Sequence, residues 1–130
     1  MNRKIKFRIW ADNKFYNKCL VGNTNNTNDE KWTCPMVWLE KQKEWVHCDN
    51  GIICQYTGLH DKNGKKIWEN DIVEITRECI YDKGIIIFKD GCFFIKSKEN
   101  LLALYNCELD NYKIKIIGNI YDNPELLGGE

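Results

Sequence analysis

The sequence QYTGLHDKNGKKIWENDIVEI, residues Gln55–Ile75, decides the fold of this chain. Asn63-Gly64 predicts a tight type I′ hairpin turn, because that turn needs positive φ at two successive residues and Asn and Gly tolerate it best. Asp71 precedes the β-branched run Ile72–Ile75, where its short side chain can accept hydrogen bonds from neighbouring backbone N–H groups. The stretch is therefore interpreted as a turn that leads into a strand.

The rest of the chain alternates short strands with turns. Residues 4–10 place apolar and basic side chains alternately, as a half-buried strand does. Residues 32–47 favour a hairpin with a charged tip, because Trp and Val dominate its flanks; a short helix is the alternative, since Glu and Lys form helices well. Many short strands joined by tight turns are typical of a mainly β fold and a small barrel. Further elements are predicted as strands at 52–56, 72–76, 84–88, 92–96 and 112–118, a turn at Asp90-Gly91, helical turns within 98–105 and a terminal helical turn at 123–127.

Two portions are predicted from this pattern. Residues 1–50 form a small β-rich portion with an exposed loop at 21–31, which is rich in Gly, Asn and Thr. Residues 51–130 form the small barrel, which ends in a short helical turn. The boundary is placed near residues 49–51, where a turn signal precedes the next strand.

Composition excludes several classes of protein. Basic and acidic residues number 19 each, so no global field attracts the chain to nucleic acid or to a membrane. No apolar run approaches the roughly 20 residues that span a bilayer. The basic N-terminus has no apolar segment behind it, so it is not a secretory signal and a cytoplasmic protein is expected. Seven cysteines without a Cys-x-x-Cys pair indicate reduced thiols.

No catalytic or metal site is predicted, and no cofactor. His47, Cys48, Cys54 and His60 lack the paired cysteine spacing of zinc modules. Asp61, Glu69 and Asp71 could be read as acid–base carboxylates, but turn capping is favoured because each lies at a turn. Neither a nucleophile triad nor a phosphate-binding loop is present in the sequence.

Two binding surfaces are candidates. Exposed aromatic residues mark partner surfaces, and the apolar candidates for a protein partner are Phe7, Ile9, Trp10 and Trp68. Basic side chains beside an aromatic ring are typical of single-stranded nucleic acid sites, although a solvated hairpin tip is the plainer interpretation. The basic candidates are Lys62, Lys65, Lys66 and Arg8.

The strand at residues 5–10 also predicts an assembly. Few local partners surround it in the sequence, and an unpaired edge tends to pair with another chain. A homo-oligomer, most simply a dimer, is therefore expected, with Phe7, Ile9 or Trp10 at the contact. The alternative is that this strand joins the hairpin at 32–45 within one chain.

Four segments together resemble the YopX family, which is found mainly in phages and prophages of Gram-positive bacteria. They are IKFRIW at 5–10, residues 55–73 of the central stretch, the hairpin at 84–94 and IGNIYDNPELL at 117–127. The resemblance implies a small N-terminal β or α+β portion and a C-terminal SH3-like barrel, with no established reaction, cofactor or catalytic residue. Asn70 stands where the family usually has Gly, and Asn tolerates positive φ next best.

The function expected from residues and resemblance is non-enzymatic. The chain is expected to be a phage or prophage accessory protein that binds a host or phage protein, such as a defence complex, in the bacterial cytoplasm. The alternative is a nucleic-acid-binding module that uses the barrel, an expectation that rests on analogy of fold.

Overall fold

The computed structural model describes residues 5–20, 35–48, 50–98 and 100–127. The predicted loop at 21–31 lies outside these residues. Strands make up 58% of the described residues and helices 8%, so the predicted mainly β class is confirmed. The chain divides into two compact units, one ending at Gln55 and the other beginning at Tyr56.

The N-terminal unit contains two small groups of antiparallel strands. β1 (Phe7–Ala11) and β2 (Lys14–Tyr16) form a hairpin through Asp12 (φ 53°) and Asn13 (φ 64°), which is a two-residue turn of type I′. In the next hairpin, β4 (Met36–Leu39) pairs with β5 (Glu44–His47) around a charged tip, with Val37 opposite Val46. The predicted hairpin is therefore confirmed and the helix alternative is wrong. The strands of this unit are β1 (Phe7–Ala11), β2 (Lys14–Tyr16), β3 (Cys19–Leu20), β4 (Met36–Leu39), β5 (Glu44–His47) and the first half of β6 (Ile52–His60).

The C-terminal unit is built on a curled five-stranded antiparallel sheet. Its interior face is formed mainly by β-branched side chains, which suit a pleated, buried surface. After the second half of β6, its elements are β7 (Lys66–Trp68), β8 (Asp71–Arg77), β9 (Ile80–Lys89), β10 (Cys92–Lys96), β11 (Leu101–Ala103), α1 (Leu104–Leu109), β12 (Lys113–Asn119) and a 3-10 turn (Pro124–Leu126). The strand order in the five-stranded sheet is β11-β10-β9-β8-β12.

Two boundaries in this unit differ from the prediction. Residues 77–83 lie between the strands predicted at 72–76 and 84–88 and were expected to be a connection. Instead, Glu78 adopts a φ of 53°, and Arg77 pairs with Ile80 across a two-residue turn. β9 is therefore ten residues long. The helical turns expected within 98–105 begin only at Leu104, because Leu101–Ala103 extend the sheet by pairing with β10.

The hairpin turns show where the type I′ prediction succeeds and fails. Asp90 (φ 53°) and Gly91 (φ 82°) both have positive φ and join β9 to β10 in the expected two-residue turn. Between β6 and β7 only Gly64 has positive φ, at 83°, so the type I′ turn predicted at Asn63-Gly64 is wrong. The loop there has three residues, closed by a hydrogen bond from the Asp61 N–H to the Lys65 carbonyl at 2.8 Å. A three-residue hairpin ends in one left-handed residue, and Gly64 supplies it.

Candidate functional site

Asp61 closes the turn between β6 and β7 and ties it to β12. Its side chain is only 6% exposed. Oδ1 accepts the N–H groups of Asn63 and Lys65, both at 2.9 Å, and Oδ2 accepts the Ile116 N–H at 3.1 Å. The Lys62 N–H donates to the Ile114 carbonyl of β12 at 2.8 Å. The turn therefore occupies the edge of β12 that β8 leaves open.

The ionisation of Asp61 follows from these bonds. Burial alone would raise the pKa of the carboxyl group, but the N–H groups of Ile116, Lys65 and Asn63 together outweigh it and hold the pKa below its usual value. A carboxylate whose oxygens bind three backbone donors has little capacity left for proton transfer. The turn-capping interpretation of Asp61 is confirmed by this geometry.

Asn70 and Asp71 perform a similar task before β8. Asn70 adopts a φ of 72°, so the expected tolerance of Asn at the family's glycine position is confirmed. Its side-chain amide donates to the Tyr121 hydroxyl at 2.8 Å. Asp71 is buried and accepts the Trp68 N–H at 2.8 Å. Both residues are structural, as the sequence indicated for this turn.

An aromatic and basic surface lies beside that turn, and we call it the β6–β7 surface; it consists of His60, Lys66 and Trp68, and Tyr56 lies beneath it. Tyr56 pairs with Trp68 across the two strands, with ring centroids 5.5 Å apart, and His60 pairs with Lys66. The Tyr56 hydroxyl lies 3.4 Å from His60 Nδ1. Tyr56 is buried, Trp68 is half-buried, and His60 and Lys66 are exposed. The arrangement offers the rings of Trp68 and His60 and the Lys66 cation to a ligand, and Tyr56 contacts Trp68 from the interior. Sequence analysis identified Trp68 and Lys66 here but missed Tyr56 and His60. The strand predicted at 52–56 ended at Tyr56, so a shared strand face could not be inferred until β6 was known to run to His60.

The predicted basic set is divided between the two units. Lys62 and Lys65 are exposed on the turn next to the β6–β7 surface. Arg8 belongs to the N-terminal unit, where its guanidinium carbon lies 3.6 Å from the centre of the Phe15 ring. A cation stacked on an aromatic ring at this distance is already engaged in a favourable contact.

The apolar set predicted for a protein partner is largely internal. Ile9 is fully buried, so it does not belong to an exposed surface. Trp10 is half-buried and packs edge-on against Phe15 at 4.8 Å, and Phe7 is half-buried. β1 pairs with β2 on one side and with β6 on the other. The argument from an unpaired strand edge is therefore wrong, and so is the alternative pairing with the hairpin at 32–45. The homo-oligomer itself stays a prediction.

An exposed apolar surface that sequence analysis missed lies on α1. Tyr105 is 66% exposed and Leu109 is 62% exposed. They are four residues apart and therefore share one face of the helix. Leu104 and Cys107 are buried in the core of the unit and fix the helix in place. In a helix, the spacing of residues 104 and 107 predicts one face and that of residues 105 and 109 another. The sequence analysis did not recognise this pattern, because it expected the helix to end at residue 105. We call Tyr105 and Leu109 the α1 surface.

The described residues show no candidate metal site. No group of three or more His, Cys, Asp or Glu side chains within them stands close enough to hold a metal ion. In the same part of the chain, no helix combines the length and the apolar character that crossing a membrane requires.

Comparison with known proteins places these features in a family. A family model described as YopX protein matches residues 6–128. The crystal structure of protein EF1440 from Enterococcus faecalis is similar, with a TM-score of 0.63 and 24% identity over 97% of this chain and 99% of that chain. The crystal structure of protein yopX from Bacillus subtilis has a TM-score of 0.64 and 20% identity over 93% of this chain and 96% of that chain. No curated protein sequence matches the chain. The two structures support the fold, and the family model covers nearly the whole chain.

Proposed function

The chain belongs to the YopX family, and we propose that it is a non-enzymatic accessory protein that binds a protein partner through its C-terminal unit. The observation that supports this proposal is the α1 surface, where Tyr105 and Leu109 are each more than 60% exposed. Large apolar side chains grouped on a surface mark protein interaction sites. Tyrosine is also enriched among the residues that contribute most to binding.

The α1 surface is not needed to hold the helix. Leu104 and Cys107 are each 2% exposed and supply the contacts with the core, so Tyr105 and Leu109 are available to a partner. Leu101, on the strand that precedes the helix, is also exposed. Burial of apolar surface contributes about 25 cal/mol per Å², so covering these side chains would favour a complex.

The test is an affinity capture from lysate of a bacterial host at about 0.15 M salt, where exposed charge contacts are screened. A Tyr105→Ser, Leu109→Ser double variant should lose the captured protein. The matched control is Leu20→Ser, Ile52→Ser, which removes two exposed apolar side chains from the N-terminal unit. Capture of nothing by the wild type under gentle salt, or equal capture by all three proteins, would contradict the proposal.

Nucleic acid binding is the second candidate, and the β6–β7 surface favours it. Trp68 supplies a half-buried ring, which contacts the buried Tyr56, while Lys62, Lys65 and Lys66 supply exposed charge close by in the chain. Stacking of a base on an aromatic side chain contributes about 1–3 kcal/mol. A single-stranded oligonucleotide should therefore bind more weakly to Trp68→Ala and more weakly as salt rises. Affinity that does not change between low and moderate salt would refute an electrostatic interface.

A further inference from the structure

A cleft of about 400 Å³ lies in the C-terminal unit, and we call it the lysine cleft. Its basic lining residues are Lys83 on β9, Lys96 at the end of β10 and Lys98 just beyond it, and Ile85 and Leu127 form its apolar wall. Small-molecule sites in proteins have volumes of about 300–1,000 Å³. The cleft is therefore large enough for a small ligand.

The register of the sheet places two of these lysines together. Lys96 lies directly opposite Ile85, and Lys83 precedes Ile85 by two residues. Residues two apart in a strand point to the same face, so Lys83 is the diagonal neighbour of Lys96. Like charges placed this way repel each other. Within the described residues, neither ammonium group forms an ion pair or a hydrogen bond.

Asp82, the acidic residue among the described lining residues, already accepts hydrogen bonds at both oxygens. Asp82 Oδ1 accepts the Lys83 N–H at 2.8 Å, and Oδ2 accepts the side-chain amide of Asn100 at 3.5 Å. The Ser97 N–H donates to the Asn100 carbonyl at 2.9 Å, and the Asn100 N–H donates back to Ser97 Oγ at 3.1 Å. These bonds fix the connection that carries Lys98. Lys98 takes part in another interaction, so Lys83 and Lys96 carry the two positive charges that the described lining offers to a ligand.

We propose that the lysine cleft binds a small organic phosphate monoester. A phosphate monoester carries about −1.5 to −2 charge at pH 7, which matches the two positive charges of Lys83 and Lys96. Its oxygens would accept hydrogen bonds from Lys83 and Lys96, and its organic part would lie against Ile85 and Leu127. Among the described lining residues there is no aromatic side chain, and bases of single-stranded nucleic acid stack on aromatic side chains. The lining therefore favours a small monoester over a nucleic acid strand.

The experiment follows backbone amide shifts of the full chain by NMR during titration with AMP, with adenosine as the uncharged probe. AMP should give saturable shifts at Lys83, Ile85 and Lys96, and adenosine should not. Lys83→Gln, Lys96→Gln should weaken AMP binding by about tenfold or more, because both charges that face the phosphate are lost. The matched control Lys41→Gln, Lys89→Gln removes the same charge from exposed residues that do not line the cleft and should keep the affinity within about twofold, since exposed charges that do not contact the ligand are screened.

Each other result would overturn the proposal. Equal weakening in both double variants would show a general charge effect. Equal shifts with AMP and adenosine would remove the role of the phosphate. Tighter binding of a single-stranded oligonucleotide than of AMP at the same amides would replace the small ligand with nucleic acid. Lys83→Arg, Lys96→Arg preserves charge and should still bind AMP, which separates loss of a ligand from loss of the fold.

Discussion

Replacing Asp61 tests whether the turn between β6 and β7 holds the C-terminal unit together. Asp61→Ala removes the acceptor of three backbone N–H groups, two in the turn and one on β12. Hydrogen bonds to charged groups contribute about 1.5–3 kcal/mol each, but the three bonds share one carboxylate and are not additive. Water can also reach the two donors in the turn once it loosens. We therefore expect a loss of about 3–5 kcal/mol in the free energy of unfolding.

Asp61→Asn separates the contributions of the two oxygens. The amide oxygen can still accept the N–H groups of Asn63 and Lys65, but its NH₂ group would then face the Ile116 N–H. The hydrogen bond from the Ile116 N–H is lost, and the new NH₂ group and this N–H, which are both donors, face each other. We therefore expect about 1.5–3 kcal/mol of destabilisation. The matched control is Asp110→Asn, an exposed aspartate, for which a change within about 0.5 kcal/mol is expected. Urea denaturation followed by far-UV circular dichroism measures all three variants.

The pH dependence gives an independent check of the same residue. The pKa of Asp61 is lowered in the folded state, so its contribution is present above the unfolded pKa, about 3.9 for Asp, and is lost as pH falls through the folded pKa. The difference in stability between wild type and Asp61→Asn should therefore be largest near neutral pH and shrink below about pH 4. A constant difference across this range, or a cost of Asp61→Ala below about 1 kcal/mol, would refute the assigned role.

Three further predictions concern backbone geometry and the thiols. Gly84→Ala should destabilise the protein by about 2 kcal/mol or more. The new Cβ would lie 2.8 Å from the carbonyl carbon of Lys96 and press against that backbone group. A melting temperature within one degree or so of wild type would contradict this. Asn70→Ala should cost about 1–2 kcal/mol through its φ of 72° and the lost bond to Tyr121, and Asn70→Gly should cost less; equal costs would show that the backbone conformation is not the cause. All seven thiols should react in a free-thiol assay on denatured protein without reductant, because none of the six described cysteines is in a disulfide. Stoichiometric disulfides would overturn the cytoplasmic expectation.

Local signals in the sequence predicted the strands and several turns because those features depend on neighbouring residues. Asp90-Gly91 and Asp12-Asn13 specify two-residue turns through their own tolerance of positive φ. Asn63-Gly64 carries the same local signal, yet Asp61 fixes a three-residue loop by accepting the N–H groups of Asn63 and Lys65. That outcome depends also on Ile116, which is distant in the sequence. A contact between remote residues cannot be derived from a local pattern.

The surfaces were harder to predict than the strands, because exposure is a property of the assembled fold. Phe7 and Ile9 formed an apolar row in the sequence and, with Trp10 at the end of the strand, were assigned to a partner contact. The pairing of β1 on both sides makes it an interior strand, and Ile9 is buried. Tyr105 and Leu109 were passed over because the preceding strand pairing moves the helix toward the C-terminus. Lys83 and Lys96 became neighbours only through the register of β9 and β10.

The central stretch that carries the family resemblance therefore explains shared structure better than shared function. Its polar side chains at Asp61, Asn70 and Asp71 bind the chain's own backbone or a tyrosine hydroxyl, and each bond fixes a turn. Side chains committed in this way are not available to a ligand. The groups that remain available are on the α1 surface, on the β6–β7 surface and in the lysine cleft, and two of these three lie outside the stretch. Variants at Tyr105, Leu109, Lys83 and Lys96 are thus expected to change binding while leaving stability nearly unchanged, whereas variants at Asp61 are expected to do the reverse. Loss of stability in the first group, measured by the same urea denaturation, would show that those side chains serve the fold as well.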